Sequence, residues 1–253
     1  MTISKRYITV LTGAGVSAES GVPTFRDSNG LWCNHKVEDI ASWRGWERNP
    51  ELVWEFYKKR YDDLKQVQPN QAHIELVKLE QLAEQYGYEF LLITQNVDGL
   101  HHLAGSKKVV ELHGDLRTLR CENCKYQTNA SSYWETTTIP RCPMCDNHLR
   151  VNVVWFGEEL PLDPYYAAEH AIENSDLLMV VGTSGEVYPA AGFVRMARSR
   201  GATICECNIK PAFFQHQYDF DNNGYRCFRA KASIGVGLAV LDIKNFLISK
   251  SKK

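Results

Sequence analysis

The chain has 253 residues, a formal net charge of −1 and 44% hydrophobic residues. That length accommodates one large domain, or a domain carrying a smaller module, with ample core. The near-neutral charge excludes an electrostatic case for nucleic acid or an anionic membrane surface, and no apolar run reaches the ~20 residues that span a bilayer.

Met1 to Arg6 lacks the apolar stretch of a secretory signal and shows no Arg- and Ser-rich transit pattern, so a cytoplasmic, unprocessed monomer is expected. Tyr7 to Leu11 reads as a buried strand ending in a glycine turn. Val37 to Trp54 is rich in Trp and has no strand pattern. A helix is expected from about Pro50 to Leu64. A stronger one runs from Gln71 to Tyr86, with Asn70 as N-cap and Gly87 as the stop. Glu89 to Thr94 and Lys108 to Leu112 read as strands, and Val151 to Phe156 is strand-like. A helix following Pro164 leads to the strand Leu177 to Val181 and its Gly182 turn. A helix from about Ala190 to Arg200, strands at Thr203 to Cys207 and Tyr225 to Arg229, and a helix from Ser233 to Ile248 complete the series. The closing Lys250-Ser251-Lys252-Lys253 reads as a solvated end.

Apolar strands alternating with helices predict an α/β fold: a Rossmann-like parallel sheet covered by helices on both faces. The Trp-rich and cysteine-bearing segments interrupt the alternation. The expected division is a nucleotide-binding domain of residues 1–34, 70–116 and 151–253, with insertions 35–69 and 117–150 forming a smaller lobe. Ligands of such sheets bind at the carboxyl ends of the strands, where Gly13, Gly182 and the Asn208 turn fall.

Gly13-Ala14-Gly15-Val16-Ser17-Ala18 fits G-x-G-x-x-A directly after a strand. Glycine there permits a tight turn and close approach to a pyrophosphate, with a following helix start offering N–H groups to the anion. Alone, the pattern equally fits a simple strand–helix turn, and the usual acidic ribose ligand about 20 residues on is missing. Thr94-Gln95-Asn96-Val97-Asp98 clusters polar groups at another strand end, better explained by a pocket floor than by caps. Glu111-Leu112-His113-Gly114 puts a histidine at the same edge, where a neutral imidazole suits a general base. His35, His101, His102 and His148 lack such context and read as structural.

Of eight cysteines, four form Cys121-x2-Cys124 and Cys142-x2-Cys145, separated by 17 residues. This is zinc-ribbon spacing. Four thiolates close the shell and leave no open position, so one structural zinc is expected. Cys33, Cys205, Cys207 and Cys227 read as packed thiols.

These segments, with Gly21-Val22-Pro23-Thr24-Phe25-Arg26, Val154-Trp155-Phe156-Gly157-Glu158 and Gly182-Thr183-Ser184, together resemble a sirtuin, in the family's order and over nearly the whole chain. The resemblance implies an NAD-dependent protein-lysine deacylase. The acyl oxygen attacks C1′ of the nicotinamide ribose, nicotinamide leaves, and the products are free lysine and O-acyl-ADP-ribose. It implies catalytic roles for His113, as base on a ribose hydroxyl, and for Asn96. Gly13, Ala14, Gly15, Ser17, Ala18, Glu19, Thr24, Phe25, Arg26 and Trp32 would lie along the cofactor on the glycine-turn side. Gln95, Asn96, Val97 and Asp98 would meet the nicotinamide and its ribose; Gly182, Thr183, Ser184, Asn208, Ile209, Lys210 and Ala232 would meet the phosphates and the adenosine end. Val154, Phe156, Gly157, Glu158 and Tyr188 would meet the substrate, the first three by pairing with its backbone. Partners are then acylated proteins and peptides.

Val53 to Arg60 contains Tyr57-x-x-Arg60. On a helix these share a face, and a guanidinium fork with a phenol suits a carboxylate. By itself the pattern is better explained by an amphipathic helix with an exposed Arg. It resembles class III sirtuins, which remove succinyl, malonyl and glutaryl groups, and Gly45 falls where that class keeps a small residue for pocket room. A plain deacetylase is the alternative, followed by an ADP-ribosyltransferase and a non-catalytic reader of acyl-lysine. Asp27, Asn152 and Lys210 depart from the family pattern.

Overall fold

A strand buried on both faces needs apolar residues at nearly every position, and the first strand meets that condition: Ile8, Val10 and Leu11 are at most 1% exposed. The computed structural model describes residues 6–24, 31–32, 35–136, 138–210, 212 and 224–251. Phe25, Arg26, Asp27 and Cys33 lie outside the described residues, as does the side chain of Trp32.

In chain order the elements are β1 (Tyr7–Thr12), the short pair β2 (Leu31–Trp32) and β3 (His35–Lys36), α1 (Val37–Ile40), α2 (Trp43–Arg48), α3 (Pro50–Leu64) and α4 (Gln71–Gln85). Then come β4 (Glu89–Thr94), α5 (Leu100–Ala104), β5 (Val109–Glu111), β6 (Gly114–Cys121), β7 (Gln127–Asn129) and β8 (Leu149–Val153). The chain closes with α6 (Leu162–Glu173), β9 (Ser175–Val181), α7 (Ala190–Ser199), β10 (Thr203–Cys207), β11 (Tyr225–Phe228) and α8 (Ala232–Ser251).

Six parallel strands form the main sheet in the order β11-β10-β9-β1-β4-β5. The chain runs outward from β1 through β4 to β5, then returns to the other side of β1 with β9. The carboxyl end of β1 is therefore the topological switch point, where an open α/β sheet leaves a crevice. Helices α4 and α8 cover one face through Leu76, Leu79, Val236 and Ile243. Helices α6 and α7 cover the other through Ile172, Phe193 and Val194. No helix among the described residues is long and apolar enough to cross a membrane.

A third core joins the two insertions. Trp54 stacks on Trp134 with ring centroids 4.5 Å apart, and Tyr61 stacks on the same indole. Leu116, Val151, Val153 and Trp155, outside the expected insertion limits, pack in this same cluster. The reason is strand pairing: β6 bonds to β7 and β8 in a separate antiparallel sheet.

Three local expectations are corrected. The glycine turn opens two 3-10 turns, Ala14–Val16 and Ala18–Ser20, rather than an α-helix. Helix α6 begins before Pro164, which sits in the first turn, where a missing N–H breaks no intrahelical bond. Gly45 is small for packing, not pocket room: a Cβ there would stand 2.4 Å from the Asp39 carbonyl oxygen.

Candidate active site

Three strand ends converge through glycine. Gly15 N–H donates to the Gly182 carbonyl at 2.8 Å, Gly13 N–H to Val181 at 3.0 Å, and Gly182 N–H to Cys207 at 3.0 Å. A Cβ on Gly15 would lie 2.7 Å from Gly182 Cα, and Gly182 also has φ +59°. The two turns pack back to back, an approach only glycine allows. Asn208 Nδ2 donates to the Thr183 carbonyl at 2.8 Å, extending the seam to β10.

The amides after β4 fasten this seam. Gln95 Nε2 donates to Thr12 O at 3.3 Å and Thr183 Oγ1 at 3.1 Å. Asn96 Nδ2 donates to Gly13 O at 3.2 Å and Ser17 Oγ at 3.1 Å, and Ser17 Oγ donates to Asp98 Oδ2 at 2.7 Å. Each amide has two N–H groups and both are used. What Gln95 and Asn96 offer a ligand is therefore carbonyl oxygen, an acceptor suited to hydroxyl or carboxamide donors.

His113 follows β5, and its Nδ1 lies 3.0 Å from the Gln95 carbonyl oxygen. A carbonyl only accepts, so Nδ1 carries the proton and Nε2 keeps its lone pair. Burial lowers the pKa of His113, partly offset by that same bond. The imidazole is thus neutral at pH 7, with its lone pair on Nε2. Its backbone is fixed too: His113 O accepts from Val154 N–H at 2.9 Å. The next residue, Gly114, has φ +75°, and a Cβ there would collide with Asn152 O at 1.8 Å.

The four cysteine sulfurs lie within 4.8 Å of one another, with Cys121–Cys145 and Cys124–Cys142 at 3.5 Å. Tetrahedral zinc with Zn–S bonds of about 2.3 Å sets sulfurs about 3.8 Å apart, so the set fits one ion. The two knuckles repeat each other. Cys121 N–H donates to Tyr126 O and Cys142 N–H to Asn147 O, while Lys125 and Asp146 both adopt left-handed φ near +58° (59° and 57°).

The edge facing His113 holds the expected substrate strand. Val154 is half-buried, Phe156 is 53% exposed, and Gly157 has φ +89°. Phe156 N–H donates to Ala41 O at 3.0 Å. On α3, Tyr57 is 1% exposed and accepts from Trp155 Nε1 at 3.0 Å. Burial raises its pKa, so the phenol stays protonated. The Arg60 side chain is 13% exposed, stands over the Phe56 ring and pairs with Asp63.

Two residues expected at a ligand also hold intramolecular partners. Glu158 turns inward: its carboxylate pairs with Arg150 and Arg120 and accepts from Trp155 N–H at 2.9 Å. Glu19 caps α8, accepting from Ser233 N and Oγ, both at 2.9 Å. Among the others, Ala18 and Lys210 are exposed, as are Tyr188 (70%) and Ile209 (67%); Thr24, Val97 and Ser184 are half-buried, and Ala232 is buried. Sequence reasoning missed Arg150. It is 0% exposed, pairs with Glu122 and Glu158, donates to Val151 O and Val153 O, and lies 3.7 Å from the Trp155 ring centroid. No residue-type signal separates such an arginine from a surface one.

Fold and site define an α/β nucleotide-binding protein carrying a four-cysteine zinc module. The chain belongs to the Sir2 family, the sirtuins, whose profile matches residues 13–189. Among curated relatives, an NAD-dependent protein deacylase of Leishmania major is 48% identical over 213 residues, covering 81% of this chain and 84% of its own. One of Thermococcus kodakarensis is 44% identical over 211 residues, covering 81% and 80%. A Sir2 homolog–NAD complex superposes with a TM-score of 0.82 at 38% identity, over 95% of this chain and 90% of that one. A Sir2 complex with 2′-O-acetyl-ADP-ribose and a deacetylated peptide gives 0.74 at 29%, over 98% and 94%.

Proposed function

We propose that this sirtuin consumes NAD to remove acyl groups from protein lysines, and that it prefers acyl groups ending in a carboxylate. The observation that supports the chemistry is His113, neutral, with Nε2 as its basic atom, at the strand edge shared with the Gly13–Gly15 turn. In the proposed reaction the acyl oxygen attacks C1′ of the nicotinamide ribose and nicotinamide departs. His113 Nε2 then takes a ribose hydroxyl proton, raising the oxygen's nucleophilicity toward the acyl carbon; the lysine amine leaves that carbon, and water adds to it to complete O-acyl-ADP-ribose. The carbonyl oxygens of Gln95 and Asn96 accept from the nicotinamide-ribose end. Val154 to Gly157 offers backbone to an extended peptide, so acyl-lysine is read largely without regard to sequence.

The acidic preference is supported by Arg60 lying 13% exposed one helical turn from Tyr57. A sheltered guanidinium must be neutralised, and here Asp63 does so. Asp63 is half-exposed and returns to water readily, so an incoming acyl carboxylate can take its place. Uncharged acetyl-lysine offers no such exchange. The test is mass spectrometry of an NAD-supplied panel of acetyl-, succinyl-, malonyl- and glutaryl-lysine peptides. Free lysine and O-acyl-ADP-ribose are expected, fastest for the acidic acyls and absent in His113→Ala. ADP-ribose on protein acceptors with no deacylated peptide would instead identify a transferase.

A further inference from the structure

Two histidines beneath the strand ends have no part in that chemistry. His73 on α4 is 0% exposed and His101 on α5 is 2% exposed, with ring centroids 4.8 Å apart and planes at 54°. Asn70 N–H donates to His73 Nδ1 at 3.3 Å within the capping box of α4. Nδ1 is therefore unprotonated, and a neutral His73 carries its proton on Nε2. Thr12 Oγ1 donates its one hydrogen to Thr94 Oγ1 at 2.9 Å. Its 3.0 Å contact with His101 Nε2 must then be donated by His101, which leaves the lone pair on His101 Nδ1. Burial lowers both pKa values, keeping both rings neutral.

Two buried ring atoms are left over: His73 Nε2 and His101 Nδ1 make no hydrogen bond, to each other or to any other described residue. Thr94 Oγ1 accepts from Asn96 N–H at 3.0 Å. Asn70 Nδ2 also holds the glycine turn, donating to Val16 O at 2.8 Å and Ser20 Oγ at 3.0 Å. Resting on the NAD reading above, we propose that His73 and His101 are positioning residues: His101 sets Thr12, Thr94 and Asn96, and His73 sets Asn70 and with it the glycine turn, so that the Asn96 carbonyl oxygen faces bound dinucleotide. His101 donates to Thr12 and Thr12 to Thr94, and the series ends at the Asn96 backbone of the pocket floor.

The direct test is NMR of the full chain labelled with 15N-histidine. Both rings should be the Nε2–H tautomer, with unprotonated Nδ1; a proton on Nδ1 of either ring overturns the proposal, whatever the enzyme assay gives. In kinetics, His101→Phe should raise KM for NAD about 5- to 10-fold, the worth of one to two buried hydrogen bonds, with peptide KM changed less than about twofold. His101→Gln, whose amide still donates to Thr12, should recover most of the loss. A variant folded like the wild type with unchanged KM for NAD would refute positioning. If the wild type turned over no acyl-peptide, the NAD reading would fail while the tautomers still decided which ring atoms hold Asn70 and Thr12.

Discussion

Arg150 has no solvent exposure because its charge is matched on every side: two carboxylates, two carbonyls and an indole face. Removing it leaves Glu122 and Glu158 to share Arg120 alone in the small lobe. Arg150→Met should therefore cost about 3–5 kcal/mol of stability, read as a lower denaturant midpoint. Trp155 connects this arginine to Tyr57, so the variant that still folds should lose acidic-acyl turnover more than acetyl turnover. His113 makes a second prediction. Its folded pKa lies below the ordinary 6.5, and the base must be neutral. Activity is then intact above that lowered pKa and falls as pH drops through it. The acid limb of kcat/KM should be centred below pH 6.5; a limb centred above it would mean another group titrates. His113 itself was legible, because a histidine followed by glycine ended a predicted strand. The intramolecular partners of Glu158 and Glu19 were not legible, because sequence places a carboxylate on a segment but does not say which cation or helix end claims it.

At the scale of elements, the zinc knuckles determine more than their own loops. Cys121 ends β6, Glu122 inside the first knuckle pairs with buried Arg150, and β8 begins seven residues beyond Cys142 at Leu149. Removing the ion leaves four thiolates that repel or must protonate. A strong chelator should shift the emission of buried Trp134 and Trp155 and lower the melting temperature of the small lobe, with zinc restoring both. Unchanged fluorescence after verified zinc loss would show that the knuckles stand alone. The parallel strands were legible because double-sided burial writes continuous apolar runs, as in Leu177 to Val181. The small lobe was not. Helices α1 and α2 are a turn or so long, and β7 has three residues, so packing and metal hold them rather than periodicity. Gly45 shows the same limit: its neighbour, the Asp39 carbonyl, is fixed only once α1 and α2 fold together.

Across the whole molecule, one sheet edge gathers the glycine turns, the Gln95 and Asn96 amides and His113, while a separate core holds Tyr57 of α3, the helix that also bears Arg60. In the proposed reading the large domain gives the reaction and the small lobe gives its selectivity. The division shows in the cores: Tyr57 and Trp155 share a cluster with the zinc cysteines Cys121 and Cys142, and none of these packs in the clusters of the main sheet. Acidic-acyl selectivity should therefore be separable from catalysis. The most direct measurement is the ratio of kcat/KM for succinyl- to acetyl-lysine in one peptide, with NAD, for the wild type and Arg60→Met. Losing one partner of a sheltered charge pair, about 3 kcal/mol, should drop the ratio about a hundredfold while acetyl turnover survives. A ratio that stays the same, or an equal loss on both peptides, would contradict the account.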